Sequence, residues 1–342
     1  MSMKNPICTV LLITYNHAPY VAQCIDSVLS QKTKYPFIIK IFDDASTDGS
    51  SDIIRAYAAK YPDKIEAHIA PNNQGAQTNI WNAWNSVNTK YASLMETDDY
   101  WCDDEKLELQ ISALEEHPEC SFCGAQTEIK QECADIEVDK QFEVRDYFFK
   151  NKNILSYDDI KPISNSFSPH TNACCINMKF IDFEKIKHRE SICHCLGLFF
   201  YLLSKGSMYY LYRTVGVYRR TGKGIYTSKN QYERIQFAFT ALLNVNEDTN
   251  FALAEKIFTF MNTLLSWRLS VVHRQNALQN SSSLNYIRKK RVYFFGFLEV
   301  FKTVEKYGKK RFYICGLPFA KIKSHGRFSW LYLFGIPFVK IK

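Results

Sequence analysis

A cluster of acids follows a short apolar run in the segment YASLMETDDYWCDDEKLELQ, residues 91–110. Carboxylates this close raise one another's pKa unless a cation shares them. Glu96 and Asp98, one residue apart, offer the hard oxygen ligands that suit Mg²⁺ or Mn²⁺ when the ion also binds a diphosphate. The sequence therefore predicts a divalent-metal site here. Asp103 and Asp104 precede a helical pattern, and we expect them to cap that helix.

A second acidic segment, FDDASTDGS, occupies residues 42–50. Asp48 or Ser50 is expected to cap the helix that follows, which is the ordinary role of such residues. Capping does not account for Asp43 and Asp44, two adjacent acids that emerge from an apolar strand. An acid at a strand end can accept a hydrogen bond from a ribose hydroxyl or a base N–H, so we favour a nucleotide-binding role for this pair.

Strand and helix signals alternate over the first 130 residues, which predicts an α/β fold with a doubly wound, mostly parallel sheet and helices on both faces. Ligands on such sheets bind beyond the carboxyl ends of the strands. Residues 14–16, 43–44 and 96–99 are expected at those ends. The predicted strands are 7–14, 37–43, 65–70, 91–96 and 120–129, and the predicted helices are 19–31, 50–61, 78–87 and 104–117.

Composition places the chain among globular proteins, because 46% of its 342 residues are hydrophobic and 23% are charged. No uncharged apolar run approaches the roughly 20 residues of a transmembrane helix. The N-terminus has no cleavage-site pattern, so we expect no signal peptide and a cytoplasmic location. The eleven cysteines are then expected to be reduced thiols in the core. A zinc site built from Cys120, Cys123, Cys174–Cys175 and Cys193–Cys195 is the less favoured alternative.

Positive charge is concentrated at the C-terminus. Residues 281–342 contain fourteen basic and two acidic residues, a net charge of +12, whereas the other 280 residues carry −4. Aromatic residues alternate with these lysines and arginines, which suits an anionic membrane interface and peripheral binding there. Nucleic acid is the other basic-aromatic partner. We expect none, because no RNA-binding signature is present.

The same C-terminal region contains a weak repeat. YICGLPFAKIK at 313–323 returns as YLFGIPFVKIK at 332–342. Two copies are too few for a solenoid, so two hairpin-like units are expected. Residues 229–280, which precede this region, have a helical pattern.

Four segments resemble the nucleotide-sugar-binding half of family 2 glycosyltransferases of the GT-A fold. They are TVLLITYNHAPYVAQCIDSVLSQ, IFDDASTDGSSDII, NQGAQTNIWNAW and LMETDDYWCDDEKLELQISALEEHP. Their shared order makes the resemblance specific over residues 7–130, with weaker similarity to about 227. It implies a GT-A domain at 1–227, with a donor half at 1–130 and an acceptor-facing half at 131–227. A helical and then basic-aromatic region at 228–342 follows.

The resemblance implies inverting transfer of a sugar from a nucleoside diphosphate, usually UDP, to a saccharide or lipid-linked acceptor in bacterial surface-glycan or lipooligosaccharide synthesis. Asp98 would be the metal ligand of the DxD-type motif, with Asp99 beside it as a catalytic residue. Glu96 stands where many members have Asp, and would bind the metal directly or through water. The implied nucleotide-binding residues are Thr14, Tyr15, Asn16, Asp43, Asp44 and Asp98.

The catalytic base is the point at which the sequence departs from the family. Similar enzymes carry Gly-Asp before an apolar helix and a His after GVYR. Here His194-Cys195 and Thr221 occupy those positions. Inversion needs a base for the acceptor hydroxyl. His194 itself, or Glu190 or Asp182, is the candidate; the alternative for His194 is a partly buried residue at a helix start.

Two other classes remain to be compared. A catalytically degenerate nucleotide-sugar or glycan-binding partner is favoured by the missing Gly-Asp and His, and disfavoured by the intact acid cluster. A nucleotidyltransferase shares strand-end acids, but it also needs a Gly-rich, Lys- or Arg-bearing phosphate loop near the N-terminus. The segment TYNHAPY does not supply one.

Overall fold

The structure is a computed structural model that describes residues 5–132, 152–159, 169–222, 224 and 231–261, and six strands between 288 and 341. It divides into two compact units, residues 1–267 and 268–342. Parts of the predicted acceptor-facing half (133–151 and 160–168), and the predicted helical region beyond 261, lie outside the described residues.

The first part of the chain alternates strands and helices as the sequence predicts. Parallel pairing joins β1 to β2 and β4, and β2 to β3. The predicted α/β class is confirmed. The strands are β1 (Cys8–Thr14), β2 (Phe37–Asp43), β3 (Ile65–Ile69) and β4 (Tyr91–Glu96), and the helices are α1 (Ala18–Leu29), α2 (Ser50–Lys60), α3 (Ala76–Asn85) and α4 (Lys106–Glu116).

The remaining strands of the first unit extend the same sheet, in the order β3-β2-β1-β4-β8-β6-β9-β5, with β7 paired to β9. Pairing changes at β8, which is antiparallel to both β4 and β6. The sheet is therefore mixed, with its parallel half at the N-terminal strands. The added strands are β5 (Tyr100–Trp101), β6 (Cys120–Gln131), β7 (Ile154–Leu155), β8 (Cys174–Asn177) and β9 (Ser207–Arg220).

Apolar residues on both faces of the sheet form two core layers. Alternate residues of β1 enter different layers: Val10 and Leu12 pack with α1, α2 and α4, whereas Leu11 and Ile13 pack on the other face. That second face is covered by α3 and by three later helices. These are α5 (Glu190–Cys193), α6 (Cys195–Leu203) and α7 (Gln231–Asp248). Because α7 packs in this layer, the first unit continues beyond the boundary near 227 that the sequence suggests.

Cysteines of the described residues are free thiols. Cys8, Cys120, Cys123 and Cys175 are fully buried in the apolar layers, as expected of small core residues. Within the described ranges, no group of three or more His, Cys, Asp or Glu side chains is arranged to hold a metal ion. No helix there combines the length and apolarity needed to cross a membrane.

The second unit is an antiparallel sheet whose strands pair in chain order. The two repeat copies fall on the β12–β13 and β14–β15 hairpins, so the expected hairpins are present within a larger meander. The strands are β10 (Arg288–Phe294), β11 (Leu298–Lys306), β12 (Lys309–Ile314), β13 (Leu317–His325), β14 (Phe328–Leu333) and β15 (Ile336–Ile341).

Candidate active site

Three parallel strands end at one edge of the sheet, and their register brings the predicted site segments together. Thr14 pairs with Asp43, and Ile13 pairs with Glu96. The hydroxyl oxygens of Thr14 and Thr97 lie 3.0 Å apart and are buried. The strand-end residues of β1, β2 and β4 therefore lie close together at the edge where the sequence predicts them.

The loop after β2 holds the loop after β1. The amide of Asn16 donates to Ser46 Oγ at 2.8 Å, and the amide of His17 donates to Ser50 Oγ at 3.0 Å. Asp48 Oδ2 accepts from the amide that begins α1, at 2.9 Å. Asp48 and Ser50 thus tie the two loops together, and Asp48 also accepts from the amide of Ser50. Neither is the N-cap of α2: that position is Gly49, which makes no side-chain capping bond. Tyr15, on the same turn, is 46% exposed.

Asp43 and Asp44 are both buried, and both already bind groups of the chain. Asp43 accepts from the hydroxyls of Ser46 and Ser51. Asp44 accepts from the amide of Gln74 at 2.7 Å and from the amide of Gly75 at 2.9 Å. A carboxylate has further lone pairs beyond two hydrogen bonds. A nucleotide contact would therefore be added to these bonds.

Asp98 differs from Asp43 and Asp44 in the hydrogen bonding of its carboxylate. It is 3% exposed, and its buried Oδ1 has no hydrogen-bond partner within the described ranges. Its Oδ2 lies 4.0 Å from His17 Nε2. Burial raises the pKa of this carboxyl, although His17 and Arg219 oppose that effect. A buried polar atom without a partner requires an explanation, and a cation at Oδ1 would supply one.

Asp99, in contrast, is fully engaged. One oxygen accepts from the amide of Arg219 at 2.9 Å, and the other accepts from Asn172 Nδ2 at 3.0 Å. Burial raises the pKa of Asp99 well above its usual range, and Asp98 adds to the effect. Burial, with Asp98 nearby, also raises the pKa of Glu96 to about 8. The three acids therefore repel one another, and a cation would relieve that repulsion.

Arg219 on β9 organises this cluster, although sequence analysis does not identify it. Its Nη1 donates to the carbonyl of Asp98 at 2.6 Å, and its Nη2 donates to Gln23. The guanidinium lies 5.0 Å from the ring centre of Tyr20 and 4.5 Å from that of Tyr100. The signal in the sequence was the basic pair that ends the GVYRR strand, since a basic residue at a strand end beside acids favours pairing.

Two histidines border the cluster and were also missed. His17 Nδ1 lies 3.0 Å from the Thr97 hydroxyl. His170 Nδ1 lies 3.6 Å from Asp99 Oδ2, and its ring stacks on Tyr218 at 4.3 Å between centroids. The position of His17 just beyond a predicted strand was an available signal. Nothing in the local sequence placed His170 there.

His194 lies in a different environment. It is buried at the start of α6, where its Nδ1 accepts from the amide of Leu196 at 3.1 Å. Its ring meets Phe237 edge-on at 4.6 Å, and burial lowers its pKa to about 4. No hydrogen bond or ion pair joins His194 to the strand-end acids in the described part of the chain. This is the geometry of the helix-start alternative.

The other candidate acids also have partners of their own. Glu190 lies 3.4 Å from Asn244 Nδ2, and Asp182 forms an exposed ion pair with Lys185. Asp103 accepts from the amide of Glu105, just before α4, and binds Arg213; Asp104 pairs with Lys32 at 2.6 Å. Of the two acids expected to cap α4, Asp103 therefore makes a contact at the start of the helix, whereas Asp104 forms a surface ion pair.

The mixed α/β sheet, with carboxylates and hydroxyls collected at its parallel strand ends, is a fold of the GT-A type. Two solved structures share this fold. A mannosyltransferase of Pyrobaculum calidifontis, in complex with GDP-Man and Mn²⁺, has a TM-score of 0.56 at 16% identity, covering 82% of this chain and 77% of that one. Staphylococcus aureus TarS, in complex with UDP-GlcNAc, has a TM-score of 0.52 at 18% identity, covering 81% and 76%.

Sequence comparison gives the family. Residues 9–184 match the profile of glycosyl transferase family 2, and the chain belongs to that family. A putative teichuronic acid biosynthesis glycosyltransferase of Bacillus subtilis, TuaG, is 32% identical over 122 residues, which are 36% of this chain and 47% of that protein. The chain spans 28% to 47% of the length of the curated relatives that are 32% or more identical to it.

Proposed function

We propose that this glycosyltransferase moves a sugar from a UDP-linked donor to a saccharide or lipid-linked acceptor during synthesis of a bacterial surface glycan, with metal assistance and inversion. One observation carries the proposal: at the strand ends, where a donor diphosphate is expected, the buried Oδ1 of Asp98 has no partner in the part of the chain that the structure describes. The UDP-GlcNAc complex of TarS supports a UDP donor, and the name of TuaG supports a surface-polymer acceptor.

The donor would bind along the ends of β1 and β2. Tyr15 is exposed beside Thr14 and Asn16, and offers a ring surface to the nucleotide. Asp43 and Asp44 would contact the uracil and the ribose while they keep their bonds to the loops. The rigid two-loop arrangement would thus hold the donor without a large rearrangement.

Asp98 would hold a divalent metal, Mn²⁺ or Mg²⁺, through Oδ1, and Glu96 would contribute directly or through a water molecule. The donor set suits such an ion, because both ligands are hard carboxylate oxygens. The Mn²⁺ complex of the mannosyltransferase supports the same choice. When bound, the metal supplies Lewis-acid stabilisation of the leaving diphosphate. Arg219 keeps the Asp98 backbone in place through its carbonyl.

Inversion needs a base for the acceptor hydroxyl. His194 remains the candidate from the sequence, with Asp99 in the catalytic cluster. The geometry favours a second candidate, His170, because its partly exposed ring lies against Asp99. His170→Asn and His194→Asn separate the two: loss of the kcat of transfer in the first variant alone assigns the base to His170.

Calorimetric titration with UDP, with and without Mn²⁺, tests the donor site. We expect binding that strengthens with Mn²⁺ in the natural chain, and loss of the Mn²⁺ effect in Asp98→Asn. UDP binding that ignores the metal would overturn the metal site. Absence of binding to both UDP and GDP would overturn the donor assignment.

A catalytically degenerate nucleotide-sugar or glycan-binding partner is the second candidate. His194-Cys195 and Thr221 at the positions where similar enzymes carry Gly-Asp and His favour it. A panel of UDP-sugars distinguishes the two proposals. Hydrolysis or transfer that Asp98→Asn abolishes supports the enzyme, whereas donor binding without turnover of any donor supports the binding partner.

We further propose that the enzyme works in the cytoplasm as a peripheral protein of the inner membrane face, with no nucleic-acid partner. The net charge of +12 on residues 281–342 supports this placement, because anionic lipid attracts clustered Lys and Arg. A lipid-linked acceptor would be found at the same surface. Co-sedimentation of the full chain with anionic and with neutral vesicles tests the association.

A further inference from the structure

The C-terminal sheet sorts its charged residues between its two faces. Directly paired residues of neighbouring strands share a face, and so do residues two positions apart on one strand. The register of β10 to β15 therefore assigns positions to one face or the other, and pairing decides the face beyond the three bulges, where alternation along the strand is interrupted.

One face, here called the basic face, is traced by three rows of paired residues. The first row runs Lys289–Val304–Arg311–Lys321–Tyr332 across five strands. The other rows are Arg291–Lys302–Tyr313 and Lys323–Trp330–Lys340, and Lys306 pairs with Lys309 on the same face. These positions hold nine basic residues, and the same face includes one acid, Glu299, which pairs with Tyr293 beyond a bulge.

The opposite face is mainly apolar. One of its rows runs Phe312–Ala320–Leu333–Ile336, and another runs Ile322–Leu331–Val339. Its basic positions are confined to the first strands, at Arg288, Lys290 and Lys310. Glu305, which pairs with both Arg288 and Lys310, is also on this face. The positive charge of the tail therefore belongs mostly to one surface.

We propose that the basic face of the C-terminal sheet is the surface that docks on anionic lipid headgroups. Six strands spaced about 4.8 Å apart give a sheet about 24 Å wide across five gaps, so the cations are spread over an area rather than aligned in a groove. Cations spread over one face of a sheet match a layer of anionic headgroups in charge. This inference deepens the proposed membrane association and does not depend on glycosyl transfer.

Aromatic residues on the basic face favour lipid over nucleic acid. Trp330 pairs with Lys323 and Lys340, and Tyr332 pairs with Lys321. Trp and Tyr are enriched at membrane interfaces, where the ring reaches the acyl boundary and the polar atom stays in water. Single-stranded nucleic acid binds instead in a basic groove that follows its backbone.

The test compares two triple variants of the full chain with equal loss of charge. K309Q/R311Q/K321Q neutralises the basic face, and R288Q/K290Q/K310Q neutralises the opposite face. Binding is measured by co-sedimentation with vesicles of phosphatidylcholine and phosphatidylglycerol in equal parts. Each basic residue near such a surface strengthens binding about fivefold, so the first variant is expected to bind about 100-fold more weakly. The second is expected to change binding by no more than about fivefold, because screening weakens charges about a Debye length away.

Equal weakening by both variants, or a larger loss in the second, overturns the proposal. A second measurement does not depend on these variants folding: quenching of tryptophan fluorescence by lipids brominated in the acyl chain should occur in the natural chain and fall in W330F. Quenching that W330F leaves unchanged also overturns it. So does tighter binding to single-stranded RNA than to the anionic vesicles. Calorimetry with UDP on the same samples keeps a failed donor site distinct from a failed membrane surface.

Discussion

The strand-end site and the start of α6 both bury ionisable side chains, but their hydrogen bonding differs among the described residues. His194 finds its hydrogen-bond partner two residues away, in the first turn of its own helix. Asp98 has a buried oxygen with no partner among the residues that the structure describes. Buried polar groups are normally paired, and Asp98 also lies at the strand ends where ligands of such sheets bind, so we interpret its unpaired oxygen as part of a ligand site. The same contrast separates Asp99, which is fully paired, from its neighbour Asp98.

The largest effect is expected from Asp98→Asn, which replaces the open carboxylate. Transfer should fall by about 10³-fold or more, because a metal ligand contributes several kcal/mol to stabilising the leaving group. When both proteins are measured without metal, the unfolding free energy of the variant should be at least that of the natural chain. The reason is that the substitution removes a buried acid that repels Glu96 and Asp99. Steady-state kinetics and chemical denaturation measure the two quantities.

Asp104→Asn is the matched control for that change, because Asp104 lies in the same acidic segment but forms an exposed ion pair with Lys32. It should leave turnover unchanged. Equal losses of turnover in the two variants would contradict the distinction between the unpaired carboxylate of Asp98 and the ion-paired carboxylate of Asp104. A strongly destabilised Asp98→Asn would contradict it as well.

Arg219→Met tests the buried network of hydrogen bonds and ion pairs that surrounds Asp98. The buried guanidinium contacts the Asp98 carbonyl and Gln23, and its Nε lies 3.3 Å from Glu132. Removing one partner of a buried charged network costs about 3–5 kcal/mol of unfolding free energy. Arg219→Lys should restore only part of this, because an ammonium cannot stack between two tyrosine rings while it donates in a fork. Denaturant titration measures the loss.

A second arginine on β9 provides the control. Arg213 is 46% exposed, against 2% for Arg219, and it binds the buried carboxylate of Asp103 and the exposed carboxylate of Glu105. Partly exposed ion pairs contribute less than buried networks, so Arg213→Met should have a smaller effect than Arg219→Met. If the two variants lose equal stability, Arg219 is not part of a buried network.

The sequence could predict the parallel half of the fold because its signals are local. Apolar β-branched runs such as 7–14 alternate with helical patterns, and the strand ends follow from the pattern. Acids directly after those runs could therefore be placed on one edge. The mixed pairing beyond β4 could not be predicted, because β8 is a four-residue strand whose position depends on distant partners.

Residues that complete the site from distant segments escaped prediction for the same reason. Arg219 and Asn172 reach Asp99 across 120 and 73 positions of the chain. No spacing rule relates such positions without knowledge of the strand order. His194 shows the converse: its alignment near a catalytic position was local information, whereas its burial was decided by the packing of α6 and α7.

Because His194 is buried and hydrogen-bonded within the chain, we expect stability to depend on pH in a specific way. Its pKa in the folded chain is about 4, below the ordinary value of 6.5, so the folded state resists protonation. Stability is therefore full above about pH 6.5 and declines as the pH falls towards 4, by up to about 3 kcal/mol. Asn also caps helices but does not titrate in this range, so His194→Asn should remove this part of the decline. Denaturation at pH 7 and pH 4.5 provides the comparison; an unchanged pH slope would mean that the ring is not closed off from solvent.

Asp44→Asn tests the intermediate case, a carboxylate that is paired within the chain and is also expected to meet the donor. The change leaves one of the two amides, of Gln74 or Gly75, without its acceptor, which costs about 1–2 kcal/mol of unfolding free energy. UDP affinity should also fall about tenfold, or about 1.4 kcal/mol, if the remaining lone pairs of Asp44 serve the nucleotide as proposed. Asp52→Asn, at an exposed acid of α2 that pairs only with Arg55, should change neither quantity. If Asp44→Asn is less stable but binds UDP unchanged, Asp44 has a structural role, as His194 does. The candidate for ligand binding at the site would then be Asp98.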